Sequence, residues 1–133
     1  MINYKSKIFI AGHKGMLGSA ILRTFKKKGY KNLLIIDKKK LDLRNQKSVK
    51  KYLEIKKPDA IIIAAAKVGG IKANVDYPAS FISDNLQIQT NLISSGYDTG
   101  VKKLILFGSS CIYPKDLKRP IKESQILTGS LES

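Results

Sequence analysis

Three glycines stand at three-residue intervals in Gly12-His13-Lys14-Gly15-Met16-Leu17-Gly18, directly after the apolar run Ile8 to Ala11. That spacing suits a phosphate ligand. Gly12 permits a sharp turn off a strand, Gly15 leaves a pyrophosphate unobstructed, and Gly18 lets a following helix pack closely. The helix start then offers backbone N–H groups and the positive end of its dipole to an anion. A second group of candidates follows at Asp37-Lys38-Lys39-Lys40. A carboxylate at the end of a second strand accepts ribose hydroxyls and favours NAD, whereas cations there favour the 2′-phosphate of NADP. Lys14 is a further cation near the same ribose. Two sources of positive charge tilt the expectation to NADP over NAD, with a solvated lysine turn as the alternative. A third group, Gly108-Ser109-Ser110-Cys111, sets two hydroxyls and a thiol just past a fourth apolar run.

Two weaker features accompany these. In Leu41-Asp42-Leu43 a polar side chain between apolar ones could contact the adenine amino group, or Asp42 could cap the next helix. In Ala64-Ala65-Ala66 small side chains form an edge on which a cofactor could lie flat; close packing is the alternative. Cys111 by itself reads first as a small buried hydrophobe.

The elements that position these residues follow from periodicity. Ile8 to Ala11, Leu33 to Ile36, Ala60 to Ala64 and Val101 to Phe107 read as buried parallel strands. Met16 to Lys28 has helical spacing, with Leu17, Ala20, Ile21, Thr24 and Phe25 on one face. Lys26 to Lys28 suit its C-terminus and Gly29 a left-handed cap. Val49 to Lys57 is a short amphipathic helix, begun by Asn45 or Gln46 and stopped by Pro58. Residues 67–71 read as a loop. Pro78 opens the longest helix, Ala79 to Tyr97, with Phe81, Leu86, Ile88, Leu92 and Ile93 as apolar contacts. Asn85 reads as a satisfied or surface amide. The tail from Lys115 reads as loop, with one helical turn near Glu123 to Leu127. The expected fold is α/β: a Rossmann-type parallel sheet of about four strands with helices on both faces, incomplete beside the six or more of a doubly wound sheet. Phe107 and Gly108, at the end of the fourth strand, join the candidate cofactor contacts.

Composition narrows the classes. A chain of 133 residues allows one domain with a core. No apolar run approaches the ~20 residues of a membrane span. A single cysteine allows no internal disulfide. A cytoplasmic setting is expected. The net charge of +15 comes from 25 Lys and Arg against 10 Asp and Glu. The lysines are scattered and lack interleaved aromatics, so nucleic acid is not the expected partner. A positive field also draws an anionic nucleotide.

The blocks Gly12 to Ala20, Ala64 to Ile71, Tyr77-Pro78-Ala79 and Gly108 to Lys115 closely resemble the GDP-L-fucose synthase family of extended short-chain dehydrogenases/reductases. The resemblance is collinear from about residue 7 onward. It implies NADPH as cofactor and a nucleotide-sugar substrate: the family epimerises GDP-4-keto-6-deoxy-D-mannose at C3 and C5 and reduces the C4 ketone. By resemblance Ser109 is the serine of the Ser-Tyr-Lys set, and Cys111 is the epimerisation base. Lys38 and Lys14 match the family's 2′-phosphate cations. His13 shapes the glycine turn.

The family's Tyr-x-x-x-Lys pair does not follow Ser109 in these 133 residues, nor do its acid histidine and sugar-binding domain. The chain therefore reads as residues 1–133 of the N-terminal part of an NAD(P)-binding domain, inactive alone. A non-catalytic nucleotide-binding module, or one half of a split enzyme, is the alternative. Tyr52 and Lys56 have the right spacing, but they sit on a helix that ends at the wrong edge of the sheet. With one sheet edge and face bare, a homo-oligomer is expected.

Overall fold

The computed structural model describes residues 2–117 and 120–131. Four parallel strands form one sheet: β1 (Ile8–Ala11), β2 (Leu33–Leu34), β3 (Ala60–Ile63) and β4 (Lys103–Leu106), in the order β2-β1-β3-β4. The register pairs Ile8 with Leu33 and with Ala60, and Ala60 with Lys103. Every residue of β1 and β3 is buried, because both central strands are covered on both faces.

Among the described residues there are four α-helices, α1 (Met16–Lys27), α2 (Gln46–Lys56), α3 (Ile71–Asp76) and α4 (Pro78–Asp98); α1, α2 and α4 cover the sheet, while α3 has no buried residue and lies against α4. Alternation along the strands sends Ile8, Ile10, Ala60 and Ile62 to one side, where Ile21, Leu22 and Phe25 of α1 meet them. Phe9, Ala11, Ile61 and Ile63 face the other side. Val49 and Leu53 of α2 and Leu92 of α4 close over them. The continuous apolar runs thus build two cores on one sheet. Burying each such Ile or Leu stabilises the fold by about 1.5–3 kcal/mol.

Local signals account for most helix ends. The Asn45 side chain accepts the Ser48 backbone N–H at 2.9 Å, capping α2. Pro58 stops that helix, and Lys57 takes a left-handed conformation at φ 48°. Pro78 stands in the first turn of α4. Gly29 follows α1 at φ +85°. A 3₁₀ turn occurs at Glu123–Gln125, as expected.

Several expectations are corrected. β2 pairs only over Leu33–Leu34 and is half-buried, because it is an edge strand and the chain leaves the ladder before Ile35. β4 is likewise shorter and largely exposed, for the same reason. Residues 71–76 are helical, with Gly70 at the N-cap, where a loop was expected through Ile71. On α1, Leu22 rather than Leu17 or Thr24 reaches the core; both of the latter are exposed. On α4, Leu86 and Ile93 are exposed, because only the stripe through Ile88 and Leu92 faces the sheet.

Candidate functional site

Strand order locates the site. The chain leaves β1 toward β2 on one side and reaches β3 on the other, so the loops after β1 and β3 diverge. A crevice opens at that switch point, outside the carboxyl ends of the strands. The glycine turn and Ala64-Ala65-Ala66 are the two loops that part there. They border a cleft of about 470 Å³.

The glycines divide the work differently from one another. Gly12 has φ +86°, and a Cβ on it would lie 2.7 Å from the Ala64 carbonyl and from Ala65 Cα. Both its conformation and its clearance therefore require glycine. A Cβ on Gly18 would lie 2.1 Å from the Gly12 carbonyl oxygen. Gly18 thus brings α1 against the glycine turn itself, closer at hand than the sheet. A Cβ on Gly15 would make only an ordinary 3.4 Å contact, so packing places no demand there. Gly15 is the N-cap of α1, and no side chain caps that helix start. The first-turn N–H groups remain available to an anion. Met16 and Leu17 belong to that turn and their side chains are exposed, so they offer backbone.

At the ribose end, Lys14 Nζ lies 2.6 Å from Asp37 Oδ1, and His13 Nε2 lies 3.7 Å from it. The Lys14 ammonium holds the Asp37 carboxyl below the usual carboxylate range, against a smaller upward push from burial. Oδ1 itself is shielded from solvent and lacks an aligned hydrogen bond. The rest of the carboxylate is exposed beside the cleft and keeps acceptor capacity for a donor such as a ribose hydroxyl. Lys38 lines the same end. The His13 side chain is mostly buried.

The far end is an apolar slot of Leu41, Leu43 and Ile88 with one charged cluster. Arg44 donates from Nε and Nη2 to both oxygens of Asp42, at 3.0 and 2.7 Å, and from Nη1 to Asp84 on α4 at 3.1 Å. The Arg44 backbone N–H also bonds Asp42 Oδ1. These bonds, the side-chain ones first, bring the Asp42 carboxyl down to about 2. The second Asp84 oxygen takes Lys67 Nζ at 3.1 Å. Asn85 clasps the Lys67 backbone, accepting its N–H at 2.7 Å and donating to its carbonyl at 3.0 Å. Asn85 is therefore a satisfied amide, as expected, and it fixes the loop after β3.

Ser109 and Cys111 stand one strand over from the crevice. β4 runs parallel to β3, and Phe107 N–H still bonds the Ile63 carbonyl at 3.4 Å. Gly108 and Ser109 therefore emerge at the same carboxyl edge as the glycine turn. None of Phe107, Gly108, Ser109 and Cys111 lines the cleft. The Ser109 hydroxyl oxygen accepts the Cys111 N–H at 3.1 Å and opens a 3₁₀ turn over Ser110–Ile112. Its own proton stays free to donate. The Cys111 thiol is exposed.

Tyr52 packs on Phe9, ring centroids 5.1 Å apart, and burial pushes its hydroxyl pKa up. The Lys56 carbonyl accepts from Lys7, which precedes β1 at the amino edge. The end of α2 thus lies at the amino edge, on the side away from Ser109, although Tyr52 and Lys56 border a second cleft with His13 and Asp37. What sequence reasoning missed is the Arg44–Asp84–Lys67 chain. The Asp42-x-Arg44 spacing is a local signal for a carboxylate bonding N–H two residues on. The Asp84 partner has no signal, since it lies 40 residues away.

The glycine cradle and the half-exposed Asp37 carboxylate both fit a dinucleotide. Comparison with known proteins agrees. A protein described as putative GDP-L-fucose synthase 2 from Arabidopsis thaliana is 54% identical over 132 residues, 99% of this chain and 40% of the relative. The structure of MlghC, described as a GDP-mannoheptose C4 reductase from Campylobacter jejuni with NADP bound, superposes with a TM-score of 0.91 at 41% identity, over 99% of this chain and 42% of that one. A GDP-L-fucose synthetase from Naegleria fowleri bound to NADP gives 0.84 at 31% identity, over 99% and 42%. The chain thus spans about 40% of the length of these relatives. Residues 8–133 match the NAD dependent epimerase/dehydratase family, and the chain belongs to that family.

Proposed function

We propose that these residues form the NADP-binding part of a GDP-L-fucose synthase, and that Ser109 and Cys111 are its contribution to catalysis. The observation that carries this reading is the crevice between β1 and β3. There a glycine turn closed to side chains meets an Asp–Lys pair at one end and an apolar slot at the other. The names and bound NADP of the relatives support the same reading.

When bound, NADPH supplies the hydride that reduces the C4 ketone of the nucleotide sugar. The backbone N–H groups of the glycine turn and of the first turn of α1 hold the pyrophosphate. Lys14 and Lys38 face the 2′-phosphate. Gly12 and Ala64 to Ala66 form the floor on which the dinucleotide lies. Ser109 donates its hydroxyl proton to the C4 oxygen and polarises the carbonyl, its own oxygen being held by the Cys111 N–H. Cys111 is the base of this reading: it takes the proton from C3 and from C5 beside the ketone, and a proton delivered to the opposite face of each carbon, the work of the family's acid histidine, completes each inversion. The alkoxide formed at C4 needs a proton donor. In this reading that donor is the tyrosine of a Tyr-x-x-x-Lys pair, which does not occur after Ser109 among these 133 residues.

Calorimetric titration of the folded chain tests this. Saturable NADPH binding, tighter than that of NADH, is expected; a folded chain that binds neither overturns the reading. Adding a folded polypeptide that carries the Tyr-x-x-x-Lys segment is expected to bring NADPH oxidation with GDP-4-keto-6-deoxy-D-mannose.

A further inference from the structure

Lysines that stand apart in the sequence meet at one edge of the sheet. All four strands are parallel, so all four start at the amino edge, opposite the cofactor cleft. The helices between them run back, and α1, α2 and α4 end at that edge. Lys26, Lys27 and Lys28 close α1, and Lys31 leads into β2. Lys56 and Lys57 close α2 ahead of β3. Lys5 and Lys7 precede β1, while Lys102 precedes β4 and Lys103 begins it. Every one of these side chains is exposed.

Carboxylates do not balance them. Asp59, between Lys7 and Lys102 in the row of strand entries, accepts the Lys7 backbone N–H at 2.9 Å and takes Lys102 Nζ at 3.1 Å. Asp98, at the end of α4, is held by Lys50 of α2, and Glu54 lies in the last turn of α2. Among the described residues Lys102 is the one lysine of this edge in an ion pair. Helix ends account for part of the charge, since a cation suits the negative pole of a helix. Three such poles of about half a charge each are outweighed by Lys26 to Lys28 alone.

An aromatic stack stands at the same edge. Tyr30, just past α1, meets Phe25 edge-on with centroids 4.8 Å apart, and Tyr4 lies on Tyr30 at 4.9 Å. The turn that carries Tyr4 is fixed. Asn3 Oδ1 accepts the Lys5 N–H at 2.9 Å, and the Asn3 carbonyl accepts the Ser6 N–H at 3.0 Å. The Asn32 amide donates to the Lys5 carbonyl at 2.7 Å, which ties this turn to the start of β2 beside Lys31. Tyr4 is nonetheless 64% exposed, so an aromatic ring is held in place among cations with room for a further ring. Spacing along the chain showed no basic stripe with aromatics; the stripe forms only when the parallel sheet assembles.

We propose that the amino edge is a docking surface for a single-stranded nucleic acid, whose phosphates lie along the lysines of the strand entries and helix ends while Tyr4 stacks on an unpaired base. Cations that follow a backbone, with an aromatic ring for a base, are the two parts such binding needs. The surface lies away from the cofactor cleft, so the inference stands independently of the cofactor reading.

The test is fluorescence anisotropy of a labelled oligouridylate of about 20 nucleotides with the whole chain. One phosphate at each strand entry, about four in all, predicts a slope of log affinity against log salt near −2.8, a fall of about fiftyfold between about 50 and 200 mM salt. Replacing Lys26, Lys28 and Lys31 together by Gln is expected to keep the fold, weaken binding at low salt at least about tenfold, and flatten the slope by about 0.7 for each phosphate released. Tyr4→Ala is expected to weaken binding at least about fivefold with the slope unchanged. It also serves if the triple variant fails to fold. Saturating NADPH is expected to leave oligouridylate binding within about twofold. Displacement by NADPH would put the strand in the cofactor cleft and overturn the inference. No binding at low salt overturns it too. So does a native affinity that Tyr4→Ala leaves intact, or polyglutamate or phosphatidylserine vesicles bound as tightly as the oligouridylate, since each would mark a surface that answers to charge alone.

Discussion

Replacing Gly18 by alanine tests the geometry of the phosphate turn. The added Cβ would lie 2.1 Å from the Gly12 carbonyl oxygen, 2.7 Å from the Gly12 carbonyl carbon and 3.0 Å from His13 Cα. All three are backbone atoms, so no change of rotamer relieves the contact. The turn cannot simply retreat, because Gly12 is itself closed in by Ala64 and Ala65. Overpacking of this kind costs about 1–3 kcal/mol, and more where backbone must move. Alanine returns about 1 kcal/mol of helix propensity relative to glycine. The net loss is about 1–2 kcal/mol, a fall of roughly 5 °C in Tm for a domain of this size. Cofactor affinity falls further. Moving the turn weakens hydrogen bonds to the pyrophosphate worth about 1.5–3 kcal/mol each, so NADPH binding drops more than about tenfold. Gly96→Ala is the control. It also lies in a helix, but its Cβ would meet side chains rather than backbone: the terminal methyl of Ile61 at 3.2 Å and Val101 at ordinary contact distances of 3.7 and 3.8 Å. That variant is expected to keep its affinity and its Tm. Thermal melting and calorimetry read both quantities. A Gly18→Ala chain with native Tm and native NADPH affinity would refute the close-approach argument.

Asp37→Asn removes the negative charge that competes with a 2′-phosphate for Lys14. Direct titration is expected to show NADPH gaining on NADH by about tenfold, since NADH loses an acceptor for its ribose hydroxyls while NADPH loses a repulsion. Acid stability follows from the carboxylates. The pKa values of Asp37, Asp42, Asp59 and Asp84 are all depressed by neighbouring cations and N–H groups, so the folded state binds protons less readily than the unfolded state. Their contribution is complete above the unfolded value of about 3.9 and is lost as pH falls below it, with Asp42 last at about 2. Tm is therefore expected to be level with respect to these groups from pH 7 to about 5 and to decline below about 4; a decline already centred near pH 6 would assign acid sensitivity elsewhere. Finally, β4 carries exposed Ile105 and Leu106 at the sheet edge, and α4 presents Ile82, Leu86 and Ile93. Sedimentation is expected to show self-association, and a monomer at all concentrations would contradict it.

Local rules carried the sequence far in this chain. Continuous apolar runs marked β1 and β3, and Asn45, Pro58 and Pro78 marked helix ends, because each signal acts within a few residues. The glycine spacing gave the turn, since Gly12 and Gly18 meet within seven residues. Burial of β2, β4, Leu86 and Ile93 was misread for one reason. Apolar character states what a residue tolerates, while its place at an edge or a centre depends on strand order. The same limit hid Asp84 from Arg44.

The distribution of charge within the cleft carries a further consequence. A net +15 chain suggests a cationic funnel for an anionic cofactor. Yet the cations nearest the cleft are largely held by carboxylates: Lys14 by Asp37, Arg44 by Asp42 and Asp84, and Lys67 by Asp84. Among the described residues Lys38 lines the cleft without such a partner. Attraction at a distance therefore comes from the surface lysines, while grip comes from oriented N–H groups that need no counter-ion. Salt should then slow cofactor association more than it speeds dissociation, because screening acts on the long-range field and spares short hydrogen bonds. Stopped-flow measurement at low and high ionic strength separates the two rates. A dissociation rate that carries most of the salt dependence would place the grip on the lysines instead.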